Sequence, residues 1–188
     1  MKRLDRRPKV ISIAAVSGGG KTTVTKGLEE ELHNVVSLFF DEYTFENSPE
    51  DLIEWVEKGA DYNEWNLEPL ILDVQHLLHY AEKPPTYILL DYPFSYKNKA
   101  MREFIDFSVY IDTSLDVAMV RRLLRDYPGD SILHVHNDLN FYLNHGRKGY
   151  LEMEKSIKPN SDFVINGDLS SEVIVNVIID EMRNRGLF

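Results

Sequence analysis

Short apolar runs recur along the chain, separated by longer stretches in which apolar positions return every three or four residues. The short runs fall at 9–16, 35–40, 86–91, 108–112 and 163–166, and the pattern predicts a strand at each. The stretches with helical spacing predict helices at 21–33, 49–58, 68–81, 99–104, 115–127, 139–155 and 171–185. Pro84-Pro85 closes the third helix before Tyr87-Ile88-Leu89-Leu90. Ser170-Ser171-Glu172 opens the last helix, whose Val173, Val177, Ile178 and Met182 keep helical spacing. Strands alternating with helices predict an α/β fold, a three-layer sandwich around a mainly parallel five-stranded sheet. Between two helical arms, about 126–150 is polar and holds Pro128-Gly129 and Gly146, which predicts a small lid. No repeat, linker or low-complexity tract interrupts the 188 residues, so 1–188 reads as a single domain.

The most informative segment follows the first strand. Ala14-Ala15-Val16-Ser17-Gly18-Gly19-Gly20-Lys21-Thr22-Thr23 joins an apolar strand, a glycine turn, a lysine and paired hydroxyls in the order of a phosphate cradle. Glycine allows positive φ and lets successive N–H groups approach phosphate oxygens. The helix behind it turns its partly positive end to the same anion. Ser17, Gly18, Gly19, Gly20, Lys21, Thr22 and Thr23 are therefore the nucleotide-binding candidates. Lys21 is placed on the β and γ phosphates, Thr22 on a bridging Mg²⁺ and Thr23 near the α phosphate. The usual first glycine of this pattern, GxxxxGK[ST], is here Ala15.

A formal charge of -10 and a pI near 5.0 argue against a surface that coats nucleic acid or an anionic membrane. With no cysteine, disulfides, thiolate metal sites and cysteine nucleophiles are excluded. Lys2, Arg3, Arg6, Arg7 and Lys9 ahead of an apolar stretch imitate a signal peptide. However, 10–16 is only strand length, and cleavage there would destroy the phosphate loop. No other apolar stretch has the length to span a bilayer, so the expected location is the cytoplasm. Oligomeric state is left open.

Ligands of open parallel sheets sit beyond the carboxyl ends of the strands, which points to Asp41, Asp91, Asp112 and Asn166-Gly167. Phosphoryl transfer to a hydroxyl needs one group that orients the acceptor and takes its proton late in the reaction. Asp41 is assigned that role, with capping of the next turn as its alternative. Asp91, ending an apolar strand, is assigned to Mg²⁺ beside Thr22, with Glu42 as an alternative ligand. Arg121, Arg122 and Arg125 share one helix and suit a phosphate-clamping lid; the alternative is pairing with Asp116 and Asp126. Leu123 and Leu124 are expected to bury the opposite side, so that one or two of these arginines reach the nucleotide. Arg147 and Lys148 could add charge from the other arm.

Tyr43, Trp55, Tyr62 and Trp65 could form a wall against which an acceptor ring stacks, or belong to the core. Lys97, Lys99 and Arg102 form a basic patch, either a subsite for an anionic acceptor or a solvated face. His76 and His79 lack a carboxylate to complete a zinc triad. His134 and His136 alternate as in a strand or loop.

Taken together these residues resemble the uridine kinase and phosphoribulokinase group of P-loop kinases, within the P-loop NTPases. Phe40-Asp41-Glu42-Tyr43 is similar to the family's Asp-x-Tyr segment, whose aspartate faces the substrate hydroxyl. Trp65-Asn66-Leu67-Glu68-Pro69 with Asp73 resembles its Trp-Asp-x-Pro substrate region. Asp116 and Arg121-Arg122-Leu123-Leu124-Arg125-Asp126 resemble its lid entry, and Tyr150 with Lys158-Pro159-Asn160-Ser161-Asp162 its lid exit and closing strand. Asp91-Tyr92-Pro93 stands where the family has Glu-Gly and is closer to the Asp-Gly-Phe-Pro of nucleoside monophosphate kinases. Asn166-Gly167-Asp168-Leu169-Ser170 is similar to the loop that packs on adenine. The resemblance implies an ATP- and Mg²⁺-dependent kinase acting on a hydroxyl of a nucleoside or related metabolite. Asp41, Tyr43, Tyr62, Trp65 and Arg102 are its acceptor-binding candidates. A regulatory ATPase or switch is the competing class. No Asn-Lys-x-Asp or Thr-Lys-x-Asp guanine motif is present, which favours ATP over GTP.

Overall fold

Along β1 (Lys9–Ala14), Val10 and Ala14 face one side of the sheet and Ile11 and Ile13 the other, and both sets are buried. The same alternation continues in β3 (Tyr87–Asp91), where Ile88 and Leu90 oppose Tyr87 and Leu89. In β4 (Phe107–Asp112), Tyr110 opposes Phe107, Val109 and Ile111. Strands buried on both faces read as unbroken apolar runs and need helices on either side. With β2 (Val35–Phe39) and β5 (Phe163–Asn166) they form a five-stranded parallel sheet of order β2-β3-β1-β4-β5. Ile11 of the central strand lies beside Leu89 on one flank and Phe107 on the other.

This computed structural model describes residues 7–188; Lys2, Arg3 and Arg6 lie outside the described residues. Arg7 and Lys9 both face Asp106, at 2.9 and 3.9 Å. One layer is made by α1 (Lys21–Glu31) and α8 (Ser171–Asn184), whose Val24, Leu28, Ile174, Val175, Ile178 and Met182 close over Ile11 and Ile13. The opposite layer comes from α2 (Leu52–Glu57), α3 (Glu68–His79) and α4 (Lys99–Arg102), through Trp55, Leu70, Val74, Leu78 and Met101. Each fully buried aliphatic side chain here contributes about 1.5–3 kcal/mol of transfer free energy. The three-layer arrangement puts the β1–α1 turn at the carboxyl edge of the central strand, between β3 and β4, where the strand order reverses.

Three local expectations are corrected. The strand before the loop stops at Ala14, because Val16 already accepts the 2.9 Å turn bond from the Gly19 N–H. In α5 (Leu115–Asp126) the buried positions are Ala118 and Met119. Leu124 is 73 % exposed, so Leu123 and Leu124 do not form the buried side. The helix expected from 139 begins earlier, as α6 (Ile132–Phe141). It passes through a π-helical turn (Tyr142–Gly146) into α7 (Arg147–Ser156), and His134 and His136 therefore lie on a helix. None of the α6 residues is buried, so no apolar stripe marks its start, which Ser131 caps through the His134 N–H. Among the described residues no helix is long and apolar enough to cross a membrane.

Candidate active site

The turn between β1 and α1 is shaped by its glycines. Gly18 and Gly20 take φ of +77° and +97°, and a Cβ on Gly18 would sit 2.1 Å from the Ala118 carbonyl oxygen. The turn is also anchored from below: the buried Thr113 hydroxyl donates to the Gly19 carbonyl at 2.9 Å. Gly20 gives α1 an N-cap without a side-chain hydrogen bond, which leaves its first amides available to an anion. These amides open on a first cavity of about 590 Å³, lined by residues 18–24, Arg121, Arg125 and the Gly167, Leu169 and Ser170 loop. That loop passes so close to β4 that a Cβ on Gly167 would lie 2.0 Å from the Thr113 hydroxyl oxygen. It is tied to Ser114, whose hydroxyl and backbone N–H donate to Asp168 and hold that carboxyl below the usual aspartate range.

Behind Thr22 and Lys21 lies Asp91, 3 % exposed. It accepts the Thr22 hydroxyl at 2.6 Å, and the Lys21 ammonium stands 3.5 Å away. A hydroxyl and a carboxylate, both hard oxygen donors, fit a Mg²⁺ that takes its other oxygens from phosphate and water. Among the described residues no cluster of three or more His, Asp or Glu side chains forms a separate metal cage.

A second cavity of about 430 Å³ opens on the other side of Lys21, which lines both. Its walls carry Phe40, Trp55, Tyr62, Trp65, Phe94 and Tyr150, with Asp41 at the turn that follows β2. The rings hold one another edge to face: Trp55 and Tyr62 have centroids 5.1 Å apart, Tyr62 and Phe94 5.2 Å. Asn98, 2 % exposed, fixes this wall by donating to the Tyr62 and Trp65 carbonyls while its own carbonyl caps α4. The Tyr62, Tyr92 and Tyr150 phenols are pushed up by burial.

No family model matches the chain. It is similar to the uridine kinase of Clostridium tetani, 27 % identical over 207 residues covering 96 % of this chain and 97 % of that protein. It is likewise similar to that of Staphylococcus haemolyticus, 28 % identical over 199 residues covering 93 % and 95 %. Over nearly its whole length the chain is similar to the uridine kinase-like group of P-loop kinases. Its fold matches a possible uridine kinase from Bacillus stearothermophilus, with a TM-score of 0.50 and 21 % identity over 88 % of this chain and 92 % of that one. A protein from Eubacterium ventriosum matches with a TM-score of 0.55 at 14 % identity, over 93 % and 98 %.

The segments that carry the uridine kinase-like resemblance distribute unevenly over the two cavities. Asp41 and Trp65 line the second, whereas Tyr43 does not: its hydroxyl donates to Asp73 at 2.7 Å and ties the turn to α3. Ser17 lines the second cavity and Thr23 the first. Arg121, which donates to the Gly167 carbonyl at 3.3 Å, and Arg125 face the first cavity. Arg122 faces the second and is gripped by Asp138 of α6. Asn166 accepts the Asp168 N–H at 2.9 Å and shapes its loop. The basic patch lines neither cavity: Arg102 pairs with Glu103 at 3.0 Å, and Lys97 stands over the Tyr62 ring at 5.7 Å. Asp112, expected on the rim, pairs with Lys158 at 2.6 Å, and His76 and His79 are exposed on α3. Glu42, in the turn after β2, lines neither cavity. Residues that reading the sequence missed are Thr113, Asn98, His145 and Glu152. Thr113 directly follows the rim residue Asp112, and that position was its one signal.

Proposed function

We propose that the chain is an ATP-dependent phosphotransferase that transfers the γ-phosphoryl group to a hydroxyl of a nucleoside or related ribosyl compound. The observation that carries this reading is the pair of cavities meeting at Lys21, one lined by the phosphate loop and the other by Asp41 and aromatic rings. A donor and an acceptor held on opposite sides of one lysine are positioned for transfer between them, and positioning is most of what this chemistry asks of a protein. A regulatory ATPase or switch has no comparable need for the second cavity.

In this reading the amides of residues 18–22 and the Lys21 ammonium hold the triphosphate, and Arg121 and Arg125 neutralise it from the lid side. The Asn166–Gly167 loop takes the purine. Thr22 and Asp91 would hold Mg²⁺, which would supply positive charge to the polyphosphate. Asp41 accepts a hydrogen bond from the acceptor hydroxyl and takes its proton as that oxygen becomes acidic. Trp65 and Tyr62 hold the acceptor ring. The segment 126–150 acts as the lid that excludes water over the second cavity, which Phe141, Tyr142, His145 and Tyr150 line. The test is incubation with ATP, Mg²⁺ and a panel of ribonucleosides, deoxynucleosides and sugars. The expected result is a phosphorylated riboside with stoichiometric ADP; ADP release without any phosphorylated acceptor would favour the regulatory ATPase.

A further inference from the structure

We infer that Glu152 is a specificity-determining residue of the second cavity, which engages the acceptor's hydroxyl and ring N–H donors and, with Asp41, opposes an anionic group there. The role of the cavity rests on the phosphotransferase reading; its charge does not.

Three cations line the cavity: Lys21 is shared with the phosphate loop, and the other two are paired. Lys21 stands beside Asp91 at 3.5 Å, Arg122 is paired with Asp138, and Lys148 meets Glu57 at 2.5 Å. Two carboxylates line it as well, Asp41 and Glu152, and among the described residues neither has a cation at ion-pair distance. Arg125 feels the Asp41 charge, but its guanidinium is held by Asp126 at 2.6 Å and opens on the first cavity. Glu152 accepts the Ser156 hydroxyl, a neutral partner that leaves its charge in place. The chain around the mouth points the same way: residues 41–73 hold eleven Asp and Glu against one Lys. An incoming phosphate would therefore meet uncompensated negative charge and no spare cation, a repulsive element of the kind that sets specificity.

The same cavity suits a neutral ring compound. Tyr62, 3 % exposed, has a hydroxyl without a hydrogen-bond partner among the described residues. That hydroxyl feels the Glu152 charge, which places an acceptor-only carboxylate and an unused hydroxyl on the same part of the wall. Donors on a ligand would satisfy Glu152, and a ligand carbonyl would satisfy Tyr62. The basic side chains Lys97 and Arg102, the one patch fit for an anionic acceptor, stand outside the lining.

The experiment is calorimetric titration, in the presence of a non-hydrolysable ATP analogue, with uridine, cytidine, adenosine and guanosine and with their 5′-monophosphates. At least one riboside is expected to bind tenfold or more tightly than its monophosphate. Glu152→Gln is expected to weaken that riboside at least fivefold while the affinity for the ATP analogue and the melting temperature stay as in the wild type, which a merely structural role would not produce. Glu152→Lys is expected to abolish or invert the discrimination against the monophosphate. Monophosphates bound as tightly as ribosides, no riboside bound, or wild-type discrimination in both variants would overturn the inference. A riboside phosphorylated equally well by wild type and both variants would sink the inference and leave the kinase. The expected binding pattern without any transfer would sink the kinase and leave the inference.

Discussion

Gly18 and Lys21 belong to the β1–α1 turn and Thr113 anchors it, and each does a different physical job. Gly18 carries a left-handed φ of +77° against the Ala118 carbonyl. Gly18→Ala is accordingly expected to cost about 1–3 kcal/mol from backbone strain alone, and the clash adds to it, as read by urea denaturation. Thr113→Val leaves the Gly19 carbonyl without its buried donor. The expected loss is about 1–3 kcal/mol of stability, together with weaker binding of an ATP analogue. Lys21→Ala removes a charge from the phosphate site, and about 10- to 100-fold weaker analogue binding is expected by titration. It also strips a cation from the buried Asp91, so its melting temperature should fall. Lys21 and the glycines were legible because their residue types are tied to phosphate chemistry at fixed spacing. Thr113 was not, because a threonine after a strand is commonplace until the loop it touches is in place.

The elements divide in the same way. Strands buried on both faces show themselves as apolar runs, and all five expected strands are present in parallel. The start of α6 escaped notice because none of its residues is buried. So did the π-helical turn, which has no compositional mark and yet brings Tyr142 and His145 onto the second cavity. The loop after β5 offers an element-scale test through the Ser114–Asp168 tie. Its carboxyl titrates below the ordinary 3.8 when folded, so the tie contributes at every pH above that value and is lost as pH falls through the depressed one. The difference in melting temperature between wild type and Ser114→Ala should hold constant from neutrality down to about 3.8 and close below it.

For the whole molecule, the proposed function requires a chain of formal charge -10 to meet an anionic nucleotide with local groups alone. The α1 amides, Lys21, Arg121 and Arg125 gather on one cavity, while Arg122 and Lys148 of the other are spent on Asp138 and Glu57. The sequence showed which residues could meet phosphate, but not that Arg122 turns to the acceptor side or that Tyr43 and Arg102 stay outside it. Those outcomes depend on helix rotation and on partners far along the chain, such as Asp138 and Asp73. The central claim is that Asp41 receives the proton of an acceptor held across Lys21 from the nucleotide. Single-turnover transfer from radiolabelled ATP to a bound riboside, compared between wild type and Asp41→Asn, tests it most directly. The account predicts a loss of at least 100-fold in the transfer rate with affinity for the ATP analogue unchanged; wild-type transfer by Asp41→Asn would contradict it.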